Sequence, residues 1–146
     1  MKLHQLSLFL ENKPGQLTEP CRLLASAGIN IRTLSLADTE RFGILRLIVS
    51  DWQKAETVLQ DAGYVANVTE VVAVEVSDHP GGLAEVLAVL ENSAINIEYM
   101  YAFTFGRQSS AILIFRFDRP DDAIERLRAA GIAVVGSVEL YNRMEA

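Results

Sequence analysis

Two six-residue stretches, NKPGQL at residues 12–17 and DHPGGL at residues 78–83, decide how this chain folds. The second repeats the Pro-Gly pair and the leucine of the first 66 residues later, and the same offset carries Ile29-Asn30-Ile31 onto Ile95-Asn96-Ile97. Further on, residues 59–63 match residues 127–131, because two extra residues fall in the region 104–110. Internal repetition at a fixed spacing indicates duplicated structural units. We therefore predict two domains, at residues 1–70 and 71–146.

Within each copy, the hydrophobic pattern switches between the periods of strands and helices. Leu6, Leu8 and Leu10 alternate along the chain and predict a strand. Asp51 stands where a helix N-cap belongs, and Pro120 is placed in the first turn of another helix. The second copy is predicted to close with a strand at residues 134–140.

The predicted order in each copy is βαββαβ, which is the ferredoxin-like arrangement of four antiparallel strands with two helices on one face. The fold class is therefore α+β, with two such domains side by side. Almost no linker separates Thr69 from Val71, so exchange of a boundary strand between the copies stays open.

Composition excludes several classes of protein. The chain has 146 residues, of which 50% are hydrophobic, and a net charge of −6, so it is a folded protein with an acidic surface. No apolar run approaches the roughly 20 residues of a membrane span, and the N-terminus does not resemble a signal peptide. An acidic chain is a poor partner for nucleic acid. We expect a cytoplasmic protein without a metal or cofactor, since a single cysteine, Cys21, excludes a CxxC motif.

Catalysis is not indicated. The sequence contains no Ser/His/Asp or Cys/His set, no paired carboxylates at catalytic spacing and no phosphate-binding loop. His79 is interpreted as a solvated loop residue, and Cys21 as part of the apolar face of its helix.

The two Pro-Gly turns have the chemistry of a small-molecule site. Each opens a helix, where backbone N–H groups and the helix dipole favour an anion such as an α-carboxylate. Glycine lets a ligand approach the backbone closely. The amide of Asn12 can both donate and accept hydrogen bonds, whereas Asp78 would hold an ammonium group and repel a carboxylate. The alternatives are that the turns only connect strands to helices and that Asp78 caps its helix.

The βαββαβ order, the N-x-P-G-x-L or D-x-P-G-x-L turn and the I-N-I start of the second strand resemble the ACT domain, and the resemblance covers essentially the full chain. It implies a non-catalytic regulatory protein that binds an amino acid or similar metabolite between paired domains. The first site it implies is Asn12, Pro14, Gly15, Gln16 and Leu17 facing Asn96 and Ile97. The second is Asp78, Pro80, Gly81, Gly82 and Leu83 facing Asn30 and Ile31. Asp78 departs from the usual Asn, and Ala94 from the usual glycine, so the two sites are not expected to be equivalent.

Residues 97–103 are the most unusual local sequence. Simple alternation places Ile97, Tyr99, Tyr101 and Phe103 on one face of a strand, with Glu98 and Met100 on the other. Tyr99 is therefore a candidate ligand contact that shapes specificity. Packing at the joint between the domains is the alternative.

The sheets make a prediction about assembly. Residues 44–49, 71–76 and 112–117 are largely apolar on both faces, although helices cover only one face of a ferredoxin-like sheet. We expect the open faces to pack against a second copy in a homodimer. A regulated enzyme or transcription factor is the further expected partner. The alternative function is a ligand-independent adaptor or a subunit of a metabolic enzyme complex.

Overall fold

The computed structural model describes residues 1–38, 40–103 and 110–145, which form two compact units. The first unit contains residues 4–69. The second unit contains the chain from Glu70 onward together with Met1–Leu3. These first three residues are held in the second unit by Lys2, whose Nζ lies 3.1 Å from Glu70 Oε2 and 3.2 Å from Asp121 Oδ1.

The first unit has an antiparallel sheet in the order β2-β3-β1-β4. Its core is formed by the predicted alternation, since Leu6, Leu8 and Leu10 are buried against Leu24 of one helix and Leu59 of the other. The elements are β1 Leu3–Glu11, α1 Thr18–Ser26, β2 Ile31–Asp38, β3 Phe42–Val49, α2 Trp52–Asp61 and β4 Ala66–Ser77.

The second unit repeats this plan on the continuation of β4, which pairs with β6 on one side and β7 on the other, while β5 pairs with β6. The helix-side core includes Val72, Val74 and Phe115, all fully buried. The elements are α3 Gly82–Leu90, β5 Ile97–Phe103, β6 Ser110–Phe117, α4 Pro120–Ala129, β7 Val134–Val135 and α5 Ser137–Glu145. The two-residue insertion predicted in the region 104–110 falls mainly on residues 104–109, outside the described residues.

The predicted α+β class and the ferredoxin-like plan are confirmed. Asp51 is the N-cap of α2, since its side chain accepts a hydrogen bond from the backbone N–H of Lys54 at 3.1 Å, and Pro120 is the first residue of α4. Pro20 is the third residue of α1, where its missing N–H costs no intrahelical bond.

One strand replaces two predicted strands at the boundary between the copies. The segments 65–69 and 71–76 form a single 12-residue strand, β4. The reason is local, because Thr69-Glu70-Val71 contains no glycine, proline or other turn residue and is rich in β-branched side chains.

The strand predicted at residues 134–140 is wrong. Only Val134–Val135 pair with β4, and the chain then forms the helix α5. Gly136 ends the strand, and Glu139 and Arg143, four residues apart, form an ion pair along one face of the helix. Leu140 is fully buried.

Helix α5 contacts the open face of the second sheet through Arg143. Arg143 Nη1 lies 2.9 Å from Glu75 Oε2, and Glu75 alternates with the helix-side residues Val74 and Val76. Ala73 and Ile114, on the same face as Glu75, are also fully buried. At Ala73 and Ile114 this face is therefore covered within the chain, without a second subunit.

Candidate functional site

The two Pro-Gly turns share one special backbone geometry. Gly15 has φ +84° and Gly81 has φ +92°, which is the left-handed conformation that favours glycine. The two glycines occupy equivalent positions in the repeat, so both copies use the same device to turn from strand into helix.

The residue after this glycine makes the two turns different. In the second unit α3 begins at Gly82, and a Cβ built there would lie 2.0 Å from the carbonyl oxygen of Ser77. Only glycine allows this approach of backbone to backbone. The first unit has Gln16 at the equivalent position, and α1 begins two residues later, at Thr18.

Some of the backbone N–H groups that were predicted to bind a ligand are instead hydrogen-bonded within the turns. The N–H of Gln16 donates to the carbonyl of Lys13 at 3.4 Å, and the N–H of Gly82 donates to the carbonyl of His79 at 3.1 Å. Gly81, with no side chain to accept a bond, is the N-cap of α3, so the alternative role of Asp78 as cap is wrong.

The turn of the first unit borders a small cavity of about 80 Å³. Asn12, Gln16 and Leu17 line it as members of the predicted site, whereas Pro14 and Gly15 are not among its lining residues. Lys13, also on the turn, pairs with Glu11 at 2.7 Å, and this hydrogen bond raises the pKa of the lysine above its ordinary value. The other lining residues are Leu10, Glu11, Lys13, Leu36, Asp38 and Gly43.

The turn of the second unit borders a larger cavity of about 420 Å³, within the range of small-molecule pockets. Gly82 lines it, whereas Asp78, Pro80, Gly81 and Leu83 are not among its lining residues. The described lining carries two carboxylates and no lysine or arginine. Glu75 pairs with Arg143 beyond the cavity. The remaining lining residues are Val76, Ser77, Glu85, Val86, Ser110, Gly131, Ile132 and Ala133.

Most of the cavity walls were not predicted from the sequence. Leu36, Asp38 and Gly43 reach the first turn from the β2–β3 hairpin, and Ser110 reaches the second from β6. Glu85 and Gly131 did carry a sequence signal, because they repeat Glu19 and Gly63 of the first copy.

Asn30 and Asn96 have equivalent backbone roles. The N–H of Asn30 donates to Ser50 Oγ at 3.0 Å, and the N–H of Asn96 donates to Asp118 Oδ1 at 2.8 Å. In return, their carbonyls accept from the N–H groups of Ser50 and Asp118. Each asparagine therefore ties the start of a strand to the end of the neighbouring strand, while its side chain stays exposed.

Each unit keeps its asparagine and its turn at opposite ends of the sheet. Glu11 is paired with Phe42 at the turn end, and Ile31 with Val49 at the asparagine end. In the second unit, Ser77 pairs with Ser110 and Ile97 with Phe117. The facing of turn and asparagine across the two domains stays a prediction.

The predicted face of the tyrosine segment is wrong. The register of β5 shifts between Ile97 and Tyr99, so that the alternation is broken at Glu98. Ile97 and Met100 both pack against the helix-side core, which places Tyr99 and Tyr101 on the opposite face from Ile97. The same shift occurs in β2 between Ile31 and Thr33, so it is a feature of the repeat. The side chain of Phe103 lies outside the described residues.

The remaining candidates have local partners. The Nδ1 atom of His79 lies 2.8 Å from the carbonyl oxygen of Pro80, and Cys21 is half-buried. Among residues 1–38, 40–103 and 110–145 there is no group of three or more His, Cys, Asp or Glu side chains that could hold a metal ion. None of the helices in the same residues has the length and apolar character needed to span a membrane.

The duplicated βαββαβ plan and the left-handed glycine at the start of each first helix define a paired ferredoxin-like protein. The chain belongs to the ACT domain family, since the family described as "ACT domain pair" matches residues 1–144. The predicted family is confirmed. No curated protein sequence gave a significant match.

Solved structures agree with this assignment. The protein BT0572 from Bacteroides thetaiotaomicron is 40% identical, with a TM-score of 0.88, and the match covers 97% of this chain and 96% of that one. The regulatory subunit of aspartate kinase from Thermus thermophilus is 16% identical, with a TM-score of 0.65 and coverages of 87% and 91%. The corresponding subunit from Thermus flavus is 20% identical, with a TM-score of 0.62 and coverages of 86% and 88%. The two subunits show likeness of fold only.

Proposed function

We propose that this protein is a non-catalytic regulatory protein of the cytoplasm that binds an amino acid or a similar small metabolite at its Pro-Gly turns. The observation that carries the proposal is that each turn borders a cavity lined by part of the site expected from the sequence. The ACT domain assignment supports a regulatory role.

The second turn is the stronger of the two candidate sites. Its cavity is about 420 Å³, against about 80 Å³ at the first turn, which has room for only a single functional group of a ligand. Glu85 supplies a carboxylate acceptor for an ammonium group. We therefore assign the main binding role to the second turn.

Regulation would follow from unequal binding. A ligand shifts an equilibrium between two arrangements of a protein only when it binds one of them more tightly. A partner enzyme or transcription factor would respond to the favoured arrangement. The likeness of fold to regulatory subunits of aspartate kinase supports an enzyme as the first partner to test.

Isothermal titration calorimetry against the common amino acids tests the proposal. We expect at least one to bind in the micromolar to millimolar range, and Glu85→Gln to weaken its binding about tenfold through loss of a charge-assisted hydrogen bond. Glu91→Gln, on an exposed residue at the end of the same helix, is the matched control and should bind normally. Absence of binding by every amino acid at millimolar concentration would contradict the proposal.

Exposed apolar side chains of the first unit favour the second candidate function, a ligand-independent adaptor. Phe9 and Phe42 are each about half exposed, with 51% and 49% of their surface accessible, and alternation places both on the open face of the sheet. We propose this face as the surface through which two copies of the chain form a homodimer. Light scattering of Phe9→Ser with Phe42→Ser should show a smaller particle than the unaltered chain, and equal particle sizes would contradict the assignment.

A further inference from the structure

Glu75 of β4 takes part in two structures, the cavity at the second turn and the contact with helix α5. It is one of the residues that line the cavity of about 420 Å³. Its Oε2 atom lies 2.9 Å from Nη1 of Arg143 in α5, and its backbone N–H donates to the carbonyl of Ala133 at 3.0 Å. Ala133 is also a lining residue of the cavity. Glu75 therefore holds a wall of the cavity through its backbone and, through its side chain, a helix that does not line the cavity.

The chain connects the same two structures directly. Residues 131–133 line the cavity, and the chain then continues into β7, Gly136 and α5. Both residues of β7 are buried and paired with β4, which fixes this short strand beside Glu75. Only Gly136 separates the fixed strand from the first residue of α5. A Cβ built on Gly136 would have no heavy atom within 4 Å, so the chain has open space around it at this point.

Helix α5 is held to the second unit by few side chains. Among residues 137–143, whose side chains the structure describes, Leu140 is the only one that is fully buried. Arg143 adds the ion pair with Glu75, in which the two side chains are 18% and 27% exposed. Solvent and salt screen such a partly buried pair less than a surface pair. The docking of α5 therefore depends on one leucine and one ion pair.

Arg143 has a second carboxylate available when it leaves Glu75. It also pairs with Glu139, one turn earlier in the same helix. Loss of the contact with Glu75 therefore leaves the guanidinium group paired, which avoids the large cost of an uncompensated charge. This gives α5 two arrangements. In the docked arrangement Arg143 binds both carboxylates and Leu140 is buried, and in the released arrangement Arg143 keeps Glu139 alone and Leu140 becomes accessible.

We propose that Glu75 couples the cavity at the second turn to helix α5, so that a molecule bound in the cavity changes how firmly α5 is docked. A ligand that draws β4 or residues 131–133 toward itself moves Glu75 relative to Arg143. The ligand then favours one arrangement of α5, provided that it binds that arrangement more tightly. The inference rests on the proposed function for the presence of a ligand, and it assigns α5 as the element through which the ligand acts.

Hydrogen exchange of the backbone amides, followed by NMR on the full chain, tests the coupling without a ligand. Arg143→Met keeps most of the length of the side chain but removes the pair with Glu75, and it should speed exchange in α5 about tenfold. The decisive amides are those of Gly82 and Ile132, which line the cavity and are hydrogen-bonded within the second unit. We expect their exchange to quicken by about two- to thirtyfold, the usual range for coupling through a packed network.

Two further variants separate the ion pair from other effects of the substitution. Glu139→Gln is the matched control, because it removes one charge and the other partner of Arg143 from the same helix while leaving Glu75 in place. It should leave Gly82 and Ile132 unchanged. Arg143→Lys keeps a cation at the position and should return both amides toward their original rates. Amides of the first unit report that each variant is folded.

The proposal is wrong if Arg143→Met leaves α5, or both Gly82 and Ile132, exchanging as in the unaltered chain. It is also wrong if Glu139→Gln moves these two amides equally. Failure of Arg143→Lys to restore them would rule out the ion pair as the cause. Because no ligand is added, the outcome is independent of the calorimetry. Absence of amino acid binding would leave the coupling measurable, and absence of coupling would leave the binding site in question unaffected.

Discussion

At the scale of single residues, Gly82 has the most demanding environment. A Cβ at this position would lie 2.0 Å from the carbonyl oxygen of Ser77, so either the strand end or the start of α3 has to move. Gly82→Ala is expected to lower the free energy of unfolding by about 1–3 kcal/mol, the usual cost of overpacking. Urea unfolding measures the change.

Gly136 is the control for this prediction. A Cβ added at Gly136 would have no neighbouring atom within 4 Å, and the φ of this glycine is not in the left-handed region, so alanine fits there without strain. Gly136→Ala is expected to leave stability unchanged or to raise it slightly, by restricting the unfolded chain. Equal losses of stability in the two variants would contradict the role given to Gly82.

At the scale of secondary-structure elements, α2 depends on its N-cap. Asp51 accepts a hydrogen bond from the backbone N–H of Lys54 at 3.1 Å, an N–H that has no partner within the helix. Asp51→Ala should therefore cost about 1 kcal/mol of stability, measured by thermal or urea unfolding. Asp61→Ala, at the other end of α2, removes the same charge without removing a cap and should change stability by less than about 0.5 kcal/mol. A loss in Asp61→Ala as large as that in Asp51→Ala would rule the cap out as the cause.

The elements that sequence predicted correctly are those with strong local signals. The leucine alternation of β1, the cap at Asp51 and the proline at the start of α4 each depend on nearby residues. The two register shifts could not be predicted from the sequence. The residues at the shifts are Arg32 and Glu98, and neither is a glycine or a proline. The last helix was missed because Val134-Val135 starts as a strand and only Gly136 marks the change.

The candidate sites were predictable only where they are local. The two turns were predicted from their Pro-Gly pairs, whereas the left-handed conformation of Gly15 and Gly81 was not. The walls of the cavities come from segments far along the chain, such as Asp38 at the first turn and Ser110 at the second. Which residues lie beside each turn depends on strand pairing, and a single sequence does not specify strand pairing at the level of individual side chains.

At the scale of the whole molecule, helix α5 is a candidate cover for the open face of the second sheet, since Arg143 pairs with Glu75 there. Leu140 on α5 is fully buried, whereas Val138 on the same helix is 71% exposed. Leu140→Ala is expected to lower the free energy of unfolding by about 2–5 kcal/mol, through lost burial and the cavity left behind. Val138→Ala is the matched control and should change it by less than about 0.5 kcal/mol.

Urea unfolding followed by circular dichroism distinguishes the two variants. If Leu140→Ala is no less stable than Val138→Ala, α5 does not contribute to the packing of the second unit. Light scattering on a chain that ends at Gly136 adds a second measurement. Exposure of Ala73 and Ile114 should make that chain self-associate, and a particle of unchanged size would count against α5 as the cover of this face.

Strand β4 has a consequence for the history of the protein. Because Ala66–Ser77 is one strand that ends one repeat and begins the next, the two copies share a single phase of side-chain alternation. Insertion or loss of one residue near Thr69 would turn every later side chain of the strand to the wrong face. We therefore expect a change in chain length to cost less in the region 104–110, where the copies already differ by two residues, than at the junction.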